Sequence, residues 1–252
     1  GTIGEMHAKK IENLYGMAMK MGAPVVGLID CAGLRLQEGL DALNGFGRLY
    51  GCQTLASGVI PQIQAVFGSC GGGMAVASAM ADFTFMEDKA KLFVNAPNAI
   101  AENDTDTSSA KFQSEEAGNV CMTGTEEDIL VQIHTLISVL PANNEDDMSY
   151  DECADDLNRM CEGLENCVGD TALALAMISD DSFYMEMKKD YAPEMVTAFI
   201  RLNGATVGCV ANRSEVYTDG EKTATYDAAL TAAGCEKAAA FVNFCNAFEI
   251  PV

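Results

Sequence analysis

A chain of 252 residues, 49% apolar and 7% aromatic with no tryptophan, has room for one large domain or two modest ones packed by Ala, Val, Leu, Ile and Met. Its 37 acidic against 15 basic residues give a formal charge of -22, which excludes nucleic acid and anionic membrane surfaces as natural partners; an anionic ligand has to be held by local geometry. The ten cysteines contain no Cys-x-x-Cys pair and read as reduced, buried thiols of a cytoplasmic protein, and no apolar run reaches the roughly 18 residues of a membrane-spanning helix. No secretory signal opens the chain. With only His7 and His134, a histidine-centred triad or metal cluster is poorly supplied, and no metal is expected. His134 sits in an apolar helical pattern and reads as a packing residue.

The first predicted element is a helix from His7 to Gly22, with Ile11, Leu14, Tyr15, Ala18 and Met21 on one stripe and a glycine placed to end it. Pro24 to Asp30 is a continuous apolar run, as in a buried parallel strand, and Cys31 to Arg35 is the turn after it. Leu36 to Ala56 reads as helix broken near Gly45 and Gly47, followed by a strand from Ile60 to Phe67, a helix from Met74 to Ala81 and a strand from Phe83 to Met86. Strand, turn and helix recurring in this way predict right-handed βα units in an α/β layer.

The junction Gly71-Gly72-Gly73 carries most information, because the first turn of a helix has N–H groups without partners and glycines let a ligand approach them. The anion it suits is a phosphate or the oxyanion of a thioester enolate; a turn that only lets strand and helix pack closely has the same signature. No Lys-Ser or Lys-Thr follows the glycines, no Gly-x-Gly-x-x-Gly is completed by an acidic partner, and no Gly-x-Ser-x-Gly is present, so the usual phosphate loops and the nucleophile elbow fail.

Pro141 to Asp147 is a polar acidic linker, and Asp151 to Leu164 reads as a connecting helix with a solvated acidic face. From Lys237 onward the opening segment returns at a constant offset: Lys10 matches Lys237, Pro24-Val25 matches Pro251-Val252, and the stripe becomes Ala238, Phe241, Val242, Cys245 and Phe248. The first Pro-Val leads into a strand and the second does not, so both ends are expected to be cut and the second copy incomplete.

Four stretches now resemble the carboxyltransferases of biotin-dependent acyl-CoA carboxylases and of the related acyl-CoA decarboxylases. They are Gly4-Glu5-Met6-His7 with Lys10-Ile11, Asp30-Cys31-Ala32-Gly33-Leu34-Arg35-Leu36-Gln37-Glu38-Gly39, Ser57 to Ile63 running into Gly68-Ser69-Cys70-Gly71-Gly72-Gly73, and Arg201-Leu202-Asn203-Gly204 with Val207 to Asn212. The resemblance implies an α/β, crotonase-like spiral of ββα units in two tandem related domains, the second incomplete. Residues 1–140 would form the first carboxyltransferase domain, 141–180 the acidic linker and connecting helix, and 181–252 the start of the second. It implies transfer of a carboxyl group between biotin, carried on a biotin carboxyl carrier protein, and the α-carbon of a short acyl-CoA, in a homo-oligomeric trimer or hexamer.

Carried over residue by residue, Gly72 and Gly73 supply the backbone N–H groups of the oxyanion hole, and Ala32, Gly33, Leu34, Arg35, Cys70, Gly71 and Ala96 fall on substrate-binding positions. The family chemistry needs no side-chain base, since biotin freed of its carboxyl group takes the α-proton. Ala32-Gly33-Leu34 departs from the family's Gly-Gly-Ala and Asn95-Ala96-Pro97 from its Thr-Gly-Pro, and Asn119 to Gly124 lacks histidines that the family often carries nearby. Arg35 is open between a CoA phosphate contact and a structural ion pair, and Lys89 and Lys91 between the nucleotide end of CoA and solvent. Other readings are a crotonase-type hydratase or isomerase, for which Glu38 is the nearby acid, and a non-catalytic scaffold or paralogue subunit.

Overall fold

Leu, Met and Lys residues around a stripe of small apolar ones form the first helix, α1 (Glu5–Met21), and Gly22 ends it in the left-handed conformation at φ 61°, its amide returning to the Ala18 carbonyl. This is the start of a computed structural model that describes all residues except 100, 102, 103, 148, 168, 219 and 228. The chain divides into one unit of Gly1–Ile137 with Ala142–Asp146 and a second of Ser138–Pro141 with Asp147–Val252. Among the described residues no helix is long and apolar enough to cross a membrane.

In the first unit the elements run β1 (Val25–Cys31), α2 (Leu40–Ala56), β2 (Gln62–Gly71), α3 (Gly73–Ala79), β3 (Phe83–Glu87), β4 (Lys91–Phe93), α4 (Ala110–Glu115), β5 (Met122–Gly124) and α5 (Glu126–Val139). All pairings in its sheet are parallel, in the order β1-β2-β3-β5, with β4 joined to β2. β2 changes neighbour along its length: Ile63 to Val66 pair with Phe83 to Met86, and Ser69 to Gly71 pair with Lys91 to Phe93. The expected strand end at Phe67 is therefore too early, and β2 carries Gly68, Ser69 and Cys70 as far as Gly71 before the chain turns.

The predicted break in the helix after β1 lies elsewhere too. Leu36–Glu38 form a 3₁₀ turn and Gly39, at φ 54°, separates it from α2, within which Gly45 and Gly47 are helical. Gly45 is explained by packing, because a Cβ there would stand 2.9 Å from the Ala8 methyl carbon of α1. Phe46, Leu49 and Ala56 of α2 join Tyr15, Ala18, Ile29, Val66 and Met74 in one buried cluster. Burying each larger apolar side chain there contributes about 1.5–3 kcal/mol.

The second unit contains α6 (Thr171–Ile178), β6 (Met185–Glu186), β7 (Met195–Leu202), β8 (Ala205–Asn212), the hairpin of β9 (Glu215–Thr218) with β10 (Glu221–Thr225), and α7 (Ala232–Ala247). β6-β7-β8 is an antiparallel sheet, turned between β7 and β8 by Asn203 and Gly204, both at positive φ. No helix forms over Asp151 to Leu164, contrary to expectation. Its Asp side chains take local backbone amides instead, Asp151 from Glu152 and Asp156 from Asn158, and Arg159 pairs with Asp155 at 2.7 Å.

The repeat is visible in the helices. Glu249 takes the position of Gly22 after α7 and shares its left-handed backbone, at φ 53° against 61°. Phe241, Cys245 and Phe248 of the stripe are buried, with Phe241 at 4.9 Å from the Phe199 ring of β7. Of the α1 stripe, Leu14 and Met21 are exposed, against prediction.

Lys10 is exposed, whereas its counterpart Lys237 is buried and donates through Nζ to the carbonyls of Tyr191 at 2.8 Å and Ala192 at 3.4 Å. Burial depresses this ammonium to about 8, partly offset by the Glu186 carboxylate. Below that pH both folded and unfolded chains carry the proton and the folded state bears the burial penalty in full. From about 8 towards the unfolded value near 10.5 the folded chain alone is neutral, so stability rises with pH. Urea midpoints of the native chain are expected to climb between pH 8 and 10 relative to those of Lys237→Met; parallel profiles would show that Lys237 does not titrate in this way.

Candidate active site

β1 and β2 end side by side, Cys31 in register with Cys70, and each is followed by a glycine turn. The turns touch backbone to backbone. A Cβ on Gly33 would lie 2.9 Å from the Gly71 carbonyl oxygen, and one on Gly71 would lie 2.7 Å from the Ala32 carbonyl oxygen. Gly72 makes the reversal into α3 at φ 57° and ψ -128°, a conformation that strains any residue with a Cβ, and the space on that side of it is open. The carbonyl of Gly73 accepts from the Tyr50 hydroxyl of α2 at 2.7 Å, which fixes the first turn of α3.

The amides at these turns are not equivalent. Gly72 N–H donates to the Phe93 carbonyl of β4 at 3.0 Å, so the expected pairing of Gly72 with Gly73 as donors is corrected: the Gly72 amide is held within the fold. Gly73 N–H and Met74 N–H find no acceptor among the described residues, as the first amides of a helix. In the neighbouring turn Gly33 N–H lies 3.4 Å from Cys31 Sγ and Arg35 N–H goes to the Ile3 carbonyl, which leaves the amide of Leu34 without an acceptor among the described residues. The motif singled out Leu34 for its larger side chain and gave no sign that its N–H is unused.

The remaining candidates divide. Cys70 is fully buried and its thiol is pushed up to about 12 by burial, so it packs as a neutral group and is no nucleophile. Gly71 and Ala32 form the contact between the turns. Ala96 is half-buried beyond β4, where its carbonyl accepts the Ala99 amide, and takes no part in either turn. Arg35 shows the structural ion pair: its guanidinium donates to Glu38 at 2.8 Å and to Thr2. Lys91 pairs with Asp106 at 2.6 Å, and Lys89 is exposed.

Glu38 accepts the Glu5 amide at 2.6 Å as well as Arg35. The Glu5 N–H first, and then Arg35, hold its carboxyl below the usual range, so it caps α1 as an anion and is not the raised acid a hydratase needs. His134 is exposed on α5, against the packing role expected of it. All ten cysteines are free thiols, but only Cys31, Cys70, Cys121 and Cys245 are buried, and Cys235 is exposed.

Parallel strands feeding helices through glycine turns make this an α/β protein of the crotonase-like class. The chain belongs to the carboxyl transferase domain family, whose model matches residues 1–252. It is 33% identical to the methylmalonyl-CoA decarboxylase subunit alpha of Veillonella parvula, covering 100% of this chain and 51% of that one. It is 37% identical to the propionyl-CoA carboxylase carboxyltransferase subunit of Haloferax mediterranei, covering 100% and 50%. A solved transcarboxylase 12S structure, described as a hexamer assembly with hydrolysed methylmalonyl-coenzyme A bound, superposes with a TM-score of 0.89 at 33% identity, over 99% of this chain and 49% of the other. The chain thus spans about half the length of the relatives it matches.

Proposed function

We propose that the protein acts as the carboxyltransferase component of a biotin-dependent acyl-CoA carboxylase or decarboxylase, moving a carboxyl group between biotin on a carrier protein and the α-carbon of a short acyl-CoA. The observation that carries this reading is the pair of unengaged amides, Leu34 and Gly73, on turns locked together by the Gly33–Gly71 contact, in a chain that matches the family over its whole length. In the proposed mechanism the thioester oxygen sits between these two N–H groups. Removal of the α-proton, or of the carboxyl group in the reverse direction, gathers charge on that oxygen, so both hydrogen bonds strengthen as the enolate forms. The positive end of α3 adds to the same effect.

Biotin supplies the carboxyl group and, once free of it, a base. This chain's part is to hold the oxygen, and the engagement of Glu38 by Arg35 and Glu5 keeps a competing acid out of the reaction. A homo-oligomer and a biotin carrier partner are part of the same proposal, supported by the hexamer of the transcarboxylase relative. The test is exchange of labelled carboxyl between biotin and a panel of acetyl-, propionyl- and malonyl-type CoA thioesters by the intact protein. Exchange with at least one thioester is expected; none with any of them would overturn the assignment.

A further inference from the structure

α2 and α3 meet at the glycine turn. Phe46 and Tyr50 stand one turn apart on α2, with ring centroids 5.9 Å apart, and the Cα of Gly73 is seated on both: a Cβ there would lie 2.8 Å from the Tyr50 hydroxyl oxygen and 3.0 Å from the Phe46 ring. At this seat Tyr50 Oη donates to the Gly73 carbonyl at 2.7 Å, and one turn along α2 Gln53 Nε2 donates to the Ala77 carbonyl at 2.8 Å. Two side chains of one helix thus hold two carbonyls of the other. The peptide before Gly73 is held from within the turn, the Gly72 carbonyl accepting the Ala75 amide at 3.1 Å while the Gly72 amide reaches the Phe93 carbonyl at 3.0 Å.

Three consecutive glycines make a soft turn, since no Cβ restricts φ and ψ, so the direction of the Gly73 N–H is set by whatever holds its neighbours. In a planar trans peptide the N–H points opposite to the carbonyl of the residue before it. The Ala75 bond to the Gly72 carbonyl therefore sets one end, and the Tyr50 hydroxyl on the Gly73 carbonyl stops rotation at the other. A phenylalanine at position 50 would fill the same space and leave that carbonyl free. Partial burial raises the Tyr50 pKa, which keeps the phenol protonated as a donor. We propose that Tyr50 is a positioning residue for the carboxyl transfer: it touches no reacting atom, and its hydroxyl holds the Gly73 amide on the line along which the thioester oxygen gathers charge. This rests on the oxyanion reading of Gly73 and adds the side chain on which its aim depends.

The experiment measures carboxyl exchange, with whichever CoA thioester the intact protein turns over, in Tyr50→Phe, in a backbone ester that replaces the Gly73 N–H by oxygen, and in the two combined. Tyr50→Phe is expected to lower kcat by about three- to tenfold, the worth of one neutral hydrogen bond, with KM changed by less than about twofold. In the ester background, where the donor to be aimed is gone, the same substitution is expected to lower kcat by less than about twofold further. Thr54→Val is the control, because it removes a hydroxyl that donates to the Tyr50 carbonyl on the exposed side of the same helix, at 2.8 Å, and is expected to leave kcat unchanged. An unchanged kcat in Tyr50→Phe, a full loss repeated in the ester background, or an equal loss in Thr54→Val overturns the positioning role while the Gly73 ester still shows its own effect. An ester without effect, or an intact protein that exchanges no thioester, overturns the oxyanion reading and this inference with it.

Discussion

Replacing the Gly73 amide by an ester, with glycolate at that position, is expected to lower kcat for carboxyl transfer by about 10²–10³-fold, the usual effect of losing one oxyanion donor. The same replacement at Gly72 is expected to leave kcat largely intact and to lower stability by about 1 kcal/mol, because its N–H is bonded to the Phe93 carbonyl and faces no substrate. The contrast between neighbours isolates the proposed role. Charge gathers on the thioester oxygen only as the enolate forms, so the Gly73 ester should reduce kcat and kcat/KM together with little change in KM. Equal losses from both esters would mean that the Phe93 bond opens in the working enzyme; no loss from either would remove Gly73 from the mechanism.

Side-chain substitutions are poor substitutes for this test. A Cβ at position 73 would lie 2.8 Å from the Tyr50 hydroxyl oxygen and 3.0 Å from the Phe46 ring, so Gly73→Pro combines the loss of an N–H with displacement of α2. At Gly72 a Cβ meets open space, but φ 57° with ψ -128° strains any L-residue, and Gly72→Ala would tilt the following amide instead of deleting it. The backbone itself is the functional group here.

What could be read from the sequence was local. The apolar run of β1, the glycine that ends α1, the strand-glycine-helix junction and the copy of α1 in α7 all depend on residues within one or two turns of each other. What could not be read came from distant partners. The acceptor of the Gly72 amide is Phe93, on a strand that joins β2 only where β2 has left β3, and nothing near Gly72 announces it. The break before α2 falls at Gly39, at φ 54°, while Gly45 stays helical and is a glycine because a Cβ there would meet Ala8 of another helix, which periodicity within α2 does not reveal. The absence of a helix over Asp151 to Leu164 has a local cause: Asp side chains take amides that a helix would use. Asn203-Gly204 is a local hairpin signal, both residues taking positive φ between β7 and β8.

In the second unit the largest stability effect is expected from Arg213→Met, a loss of about 3–5 kcal/mol in urea unfolding. Arg213 and Glu186 are 7% and 9% exposed, and both terminal guanidinium nitrogens donate to the carboxylate, at 3.3 and 3.2 Å, while Nε holds the Pro193 carbonyl at 2.9 Å. Removing the guanidinium leaves a buried carboxylate whose remaining donor is the Tyr184 hydroxyl at 2.8 Å. That phenol cannot take over the charge, because burial first, and then Glu186 itself, push its pKa upward. The same carboxylate partly offsets the burial of the Lys237 ammonium, which itself donates to the backbone carbonyls of Tyr191 and Ala192. The double variant Glu186→Met with Arg213→Met removes the uncompensated charge and is expected to recover about half or more of the single-variant loss, a coupling on the order of 2 kcal/mol. Strictly additive losses would show that the two side chains stabilise the sheet separately, through Pro193 and Tyr184, and not as a pair.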